Sequence, residues 1–149
     1  MKKAKKKRAT IPIVKARVWA LFSEYIRLRD CWRTTQSLEY GECISCDNQF
    51  PFNQLQAGHF VPKHSGNYFS ERGVHAQCRT CNLFGKDGQA AGMPHEYRRQ
   101  MVKMYGEEAT CELEQESRKV KKFTLQELEE LKVSLQEKIK QLRKEGNND

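Results

Sequence analysis

Between residues 12 and 29, apolar side chains recur at Val14, Val18, Leu21, Phe22, Tyr25 and Ile26, the spacing of one face of an α-helix. Lys15, Arg17, Arg27 and Arg29 mark a basic face, and Pro12 suits the first helical turn. The polar residues 34–41 predict a loop. From residue 42 to 82 the apolar runs become short and turn-punctuated, which favours brief strands. Residues 55–61 read as a strand that Pro62 ends, and residues 69–75 as a second extended segment. A short helix is expected over residues 81–84, cut off by Gly85 and Gly88. Pro94 opens a further helix through Met104 with Gly106 beyond its end, and residues 107–119 read as helical. Thr124 and Glu127 form a capping box, each side chain able to satisfy the other's free amide. The helix that follows carries Leu128, Leu131, Leu135, Ile139 and Leu142 on one stripe. This stripe fits docking on the chain's own body or a two-helix contact in a homodimer. Lys138 interrupts a coiled-coil seam, so docking is preferred.

These elements predict an α+β protein: a basic arm over residues 1–10, expected to be disordered, an amphipathic helix over 11–33, a short-stranded core over 42–106 and C-terminal helices over 107–145. A chain of 149 residues suits one domain with a modest core. No apolar run approaches the roughly 18 residues that span a bilayer, and no apolar signal core follows the basic start. A soluble, intracellular protein is expected.

Net charge is +8. Residues 1–8 contribute +6 through Lys2, Lys3, Lys5, Lys6, Lys7 and Arg8, residues 9–106 contribute +4, and residues 107–149 contribute −2. That gradient suits a polyanionic partner held by the front of the molecule, although a lysine-rich arm can also serve solubility alone.

The chemistry concentrates between residues 42 and 82. Cys43-Ile44-Ser45-Cys46 and Cys78-Arg79-Thr80-Cys81 each place two sulfurs on a tight turn, and together they supply the tetrahedral set that zinc prefers. Two disulfides or a redox pair are the alternatives. Neither fits as well, because nothing marks the chain as secreted and a redox motif needs no second copy. Within the loop that such a cross-link closes, His59 follows Gly58, and Asn82 follows the last cysteine directly. A histidine opposite an oxygen-ligand side chain can activate water beside a divalent cation and a phosphodiester. A polar histidine satisfied within a small core is the plainer reading of the same pattern.

The runs Gln56-Ala57-Gly58-His59-Phe60, Phe69-x-Glu71-Arg72 and Val74-His75-Ala76-Gln77-Cys78-Arg79-x-Cys81-Asn82 resemble the phage recombination endonuclease family NinG/Rap, a zinc-knuckle branch of the HNH, or ββα-metal, nucleases. The resemblance reaches from Phe22-x-x-Tyr25-Ile26-Arg27-x-Arg29-Asp30 to Lys122-Phe123-Thr124 and Glu127-Leu128, about residues 19–131. It implies a zinc-stapled ββα-metal core flanked by helices, with Cys43, Cys46, Cys78 and Cys81 as structural zinc ligands. His59 matches the general base, and Asn82 a ligand of a catalytic magnesium or manganese ion. The implied activity is metal-dependent cleavage of branched DNA, such as D-loops and four-way junctions, in the cytoplasm of an infected or lysogenic bacterium.

Two positions depart from the HNH pattern. Gly58 stands where many such enzymes carry a second metal ligand, and Gly73 stands where the middle asparagine is usual. Asn67 could replace the latter only through a shifted loop. Glu71 and His75 are the candidate substitutes for the missing ligand, His75 with a catalytic role as well. Arg72, Arg79 and Lys86 join the N-terminal arm, Arg27 and Arg29 as candidate DNA contacts. Two other classes compete: a non-catalytic zinc-stapled DNA-binding module, and a protein-interaction adaptor using the C-terminal helix.

Overall fold

The structure, a computed structural model, describes residues 9–148. The arm lysines Lys2, Lys3, Lys5, Lys6 and Lys7, with Arg8, lie outside the described residues; Ala9 already packs against the core. Helix α1 (Ile11–Thr35) runs two residues past the predicted end at residue 33. Thr34 and Thr35 turn their hydroxyls back onto the carbonyls of Asp30 (2.8 Å) and Cys31 (2.9 Å), which satisfies these polar side chains within the last turn. Gln36, at φ 58°, then ends the helix by returning its N–H to Trp32 O at 3.0 Å.

Two small antiparallel sheets follow. Strand β1 (Tyr40–Glu42) pairs with β2 (Gln49–Pro51), and β3 (Leu55–His59) pairs with β4 (Val74–Cys78). Gly58 lies opposite His75, and His59 opposite Val74. The expected segment over residues 69–75 is displaced toward the cysteines. Ser70 N–H bonds Asn67 O and Gly73 N–H bonds Ser70 O, so residues 67–73 turn instead of extending. Every residue of β4 is buried. Val74 joins the core against α1, while His75 meets Tyr97 and Tyr105.

A single π-helical turn (Thr80–Phe84) follows β4 and stops at Gly85, whose φ of 70° favours glycine. Helices α2 (Pro94–Tyr105) and α3 (Glu107–Glu116) meet at Gly106, φ 90°. Their core joins Tyr97, Met101 and Leu113 to Ile44 and Phe60.

Helix α4 (Leu125–Asn147) begins at the predicted capping box: Glu127 N–H bonds Thr124 Oγ1 at 3.1 Å, and Thr124 N–H bonds Glu127 Oε2 at 2.8 Å. Leu128 and Leu135 sink into the face of α1 formed by Val14, Val18, Phe22 and Ile26. Burial of each contributes about 1.5–3 kcal/mol. The apolar stripe is therefore taken up within the chain. Lys15 lies near Phe123, Tyr25 near Lys138, and Leu38 beside Gly146, so the two helices run parallel.

Candidate functional site

Cys43 and Cys46 occupy the turn between β1 and β2. Asp47 N–H bonds Cys43 O, and Cys43 N–H bonds Asn48 O, both at 2.9 Å. Cys78 ends β4 and Cys81 sits in the π-helical turn, its N–H directed at Cys78 Sγ at 3.5 Å. The four sulfurs lie within 4.8 Å of one another. Sulfurs 2.3 Å from a tetrahedral zinc stand about 3.8 Å apart, so the cluster could hold such an ion. Cys31 and Cys111 stand apart from this cluster as free thiols.

Beside the cluster opens a cleft of about 410 Å³, lined by Trp19, Ala57, His59, Lys63, Asn82 and Gly92 among others. It brings together two of the sequence-predicted residues, His59 and Asn82. His59 stands at the end of β3 with its ring stacked on Trp19 of α1, centroids 5.3 Å apart and planes 11° from parallel. Its Nε2 lies 3.2 Å from the carbonyl of Tyr68. A carbonyl only accepts, so the neutral ring carries its proton on Nε2 and presents a lone pair at Nδ1. Burial pushes its pKa below the usual histidine range, outweighing the Tyr68 bond that raises it. At neutral pH His59 is thus a free base.

Asn82 donates from Nδ2 to Gln56 Oε1 at 2.9 Å, which turns its Oδ1 away from Gln56. That oxygen lies 3.1 Å from the point where a Cβ on Gly58 would stand. The rest of that volume is filled by the Gln77 side chain, so no larger residue fits at position 58. Tyr97 fixes the same stretch by donating its hydroxyl to Gly58 O at 2.7 Å. Asn67 organises the adjoining loop: its Oδ1 accepts from His64 N–H at 2.6 Å, and its Nδ2 donates to Val61 O at 2.9 Å.

The other candidates lie elsewhere. His75 is fully buried and outside the cleft. Its Nε2 lies 3.1 Å from both Arg72 O and the Tyr105 hydroxyl, and its Nδ1 lies 3.2 Å from Asp30 Oδ2. It belongs to a strut between α1, β4 and α2. Asp30 takes the Ala76 N–H at 2.8 Å and pairs with Arg29 at 2.8 Å. Burial pushes against the Asp30 charge, but the His75 bond and the Arg29 guanidinium hold its carboxyl well below the usual range. Burial keeps the His75 pKa low, against the pull of Asp30. The Glu71 carboxylate pairs with Lys138 of α4 and does not line the cleft.

Among the candidate DNA contacts, Arg29 turns inward, donating also to Glu71 O (2.6 Å) and Val74 O (2.9 Å). Arg27 lies over the Phe52 ring at 4.4 Å. Arg72, Arg79 and Lys86 are exposed. Three residues at or beside the site gave no sequence signal: Trp19 falls outside the apolar periodicity of residues 12–29, Lys63 is one charge in a polar loop, and Gln77 is only one position of the motif around Cys78.

Among the described residues, no helix is long and apolar enough to cross a membrane. No curated protein and no solved structure matches the chain. The family model described as Bacteriophage Lambda NinG protein matches residues 1–145. With nearly its whole length covered, and with a four-cysteine cluster able to hold a metal ion, the chain belongs to the NinG family of phage recombination-related proteins.

Proposed function

We propose that this protein is a metal-dependent endonuclease of the HNH, ββα-metal kind, cutting branched DNA intermediates of phage recombination. The observation that supports it most is the shared cleft of His59 and Asn82, with a free imidazole lone pair on one and an amide oxygen turned away from Gln56 on the other. His59 Nδ1 takes the proton of the attacking water, while Tyr68 O and the Trp19 stack fix the ring. Asn82 Oδ1 would hold a magnesium or manganese ion, which supplies neutralisation of charge on the phosphate and leaving oxygen. Lys63 in the cleft, with exposed Arg79 and Lys86, offers phosphate contacts that carry no sequence information. Zinc, held by four thiolates with no open position, stays structural.

The test is cleavage of matched four-way-junction and linear DNA with magnesium or manganese, by wild type and His59→Ala. Junction-selective cutting that needs the ion is expected. In the mutant it is lost, with zinc content unchanged. Wild type that binds junctions yet cuts under neither ion would make the protein a zinc-stapled DNA-binding module instead.

A further inference from the structure

Gln77 is fully buried in β4, and its side chain reaches across to the pleat of β3 at Gly58. Its Nε2 donates to Ser45 Oγ at 2.8 Å and to Gly92 O at 2.9 Å. Because the Gly92 carbonyl can only accept, this orientation of the amide is fixed, and Oε1 must point the other way. There it meets no donor: Gln77 Oε1 is a buried acceptor without a partner. A buried amide oxygen left unpaired loses its hydration without a compensating bond. It points at the volume a side chain on Gly58 would fill, beside Asn82 Oδ1. Two amide oxygens thus converge with no donor between them. That arrangement repels itself unless a cation or a donating water lies between, and oxygen donors are what magnesium and manganese select.

We infer that Gln77 Oε1 and Asn82 Oδ1 together hold the divalent cation, Gln77 supplying from β4 the ligand that Gly58 cannot supply from β3. The inference rests on the nuclease reading for the purpose of the ion, though not for its place. Asn82 lines the cleft, and Gln77 lies behind its wall, bonded to the lining residue Gly92. Gly58 then has a positive role, since any Cβ there would displace the Gln77 oxygen. The Ser45 and Gly92 bonds anchor the amide before the ion arrives, and Ser45 lies inside the first cysteine pair. The structural metal would therefore position the second ion's ligand as well.

The first measurement uses wild type alone, zinc-loaded and nitrogen-15-labelled, titrated with substoichiometric Mn2+. The side-chain amide resonances of Gln77 and Asn82 should broaden before any others; broadening that spares Gln77 overturns the assignment. The second measures Mn2+ affinity by electron paramagnetic resonance in Gln77→Met and in Gly58→Asp/Gln77→Ala, each checked for one zinc per chain. Affinity should fall about tenfold or more in the first and return in the second, whose carboxylate enters the vacated volume. Unchanged affinity in Gln77→Met, or no Mn2+ site in wild type, overturns the proposal, the pair then bridging a water. Failure of the nuclease reading looks different: Mn2+ bound through Gln77, with no DNA cut.

Discussion

Trp19 lies almost flat against His59, ring centroids 5.3 Å apart and planes 11° from parallel. A helix near the start of the chain thereby shapes the reactivity of a residue forty positions later. The indole covers one face of the imidazole, Tyr68 packs edge-on to the indole, and the burial disfavours the imidazolium.

The proposed role of His59 has a defined sign in kinetics. As the proposed general base it works unprotonated, so the rate of DNA cleavage should rise with pH through the His59 pKa and then level off. Since that pKa lies below the ordinary value of about 6.5, activity should already be on its plateau at neutral pH. A pH–rate profile under single-turnover conditions checks this; an acid limb centred above the ordinary value contradicts it.

Trp19→Ala should uncover the imidazole and move that acid limb to higher pH, with cleavage at pH 7 reduced. Trp19→Phe, which keeps a ring face, should shift it less. The Trp19→Ala core stays closed by Phe22, Phe69 and Phe123, which pack on one another. Histidine chemical shifts against pH report the same change without any substrate.

Asp30→Ala should destabilise the fold by about 3–5 kcal/mol, because it strands Arg29, His75 and the Ala76 amide without their shared acceptor. Urea unfolding measures it. The strut also sets a pH dependence. The folded His75 pKa is depressed, so its stabilisation is present above about 6.5 and declines as pH falls from there. Asp30, depressed further, adds a second decline below about 3.9. Urea midpoints of wild type should therefore drop on acidification, and the steeper low-pH fall should be missing in the variant.

Chelating the metal, or Cys43→Ser, should collapse the β1–β2 turn and free β4 at its end. Zinc binding of this type contributes roughly 10 kcal/mol or more to folding, beyond what a small core can replace. Burial pushes the Cys43 thiol up to about 11, so without a metal that sulfur stays protonated, and zinc uptake should release protons. Proton release in weakly buffered solution, followed alongside circular dichroism, checks both.

Local chemistry was legible in the sequence and long-range chemistry was not. Each Cys-x-x-Cys pair announces itself within four residues, and those four sulfurs do cluster. Thr124 and Glu127 likewise form their box from three residues' separation. The placing of β4 failed because Ser70 and Gly73 make turns through short-range bonds that apolar periodicity does not register. Arg29 read as one of a basic face, yet its guanidinium reaches carbonyls more than forty residues away. Glu71 read as a candidate ligand of the divalent cation because Lys138, its partner, lies sixty-seven positions on. Gln77 needed the pairing of two strands and the absence of a side chain at Gly58 to acquire any meaning.

The parallel packing of α1 and α4 also sets an order of events during synthesis. Val14, Val18, Phe22 and Ile26 leave the ribosome early, but the leucines that cover them lie at residues 128 and 135. At about 5–20 residues per second, that apolar face waits roughly 5–20 seconds for its cover. The nascent chain must carry an uncovered helix through that interval, and a fragment ending before residue 125 would keep it uncovered. Truncated products should thus aggregate or be degraded, so that only a finished chain persists.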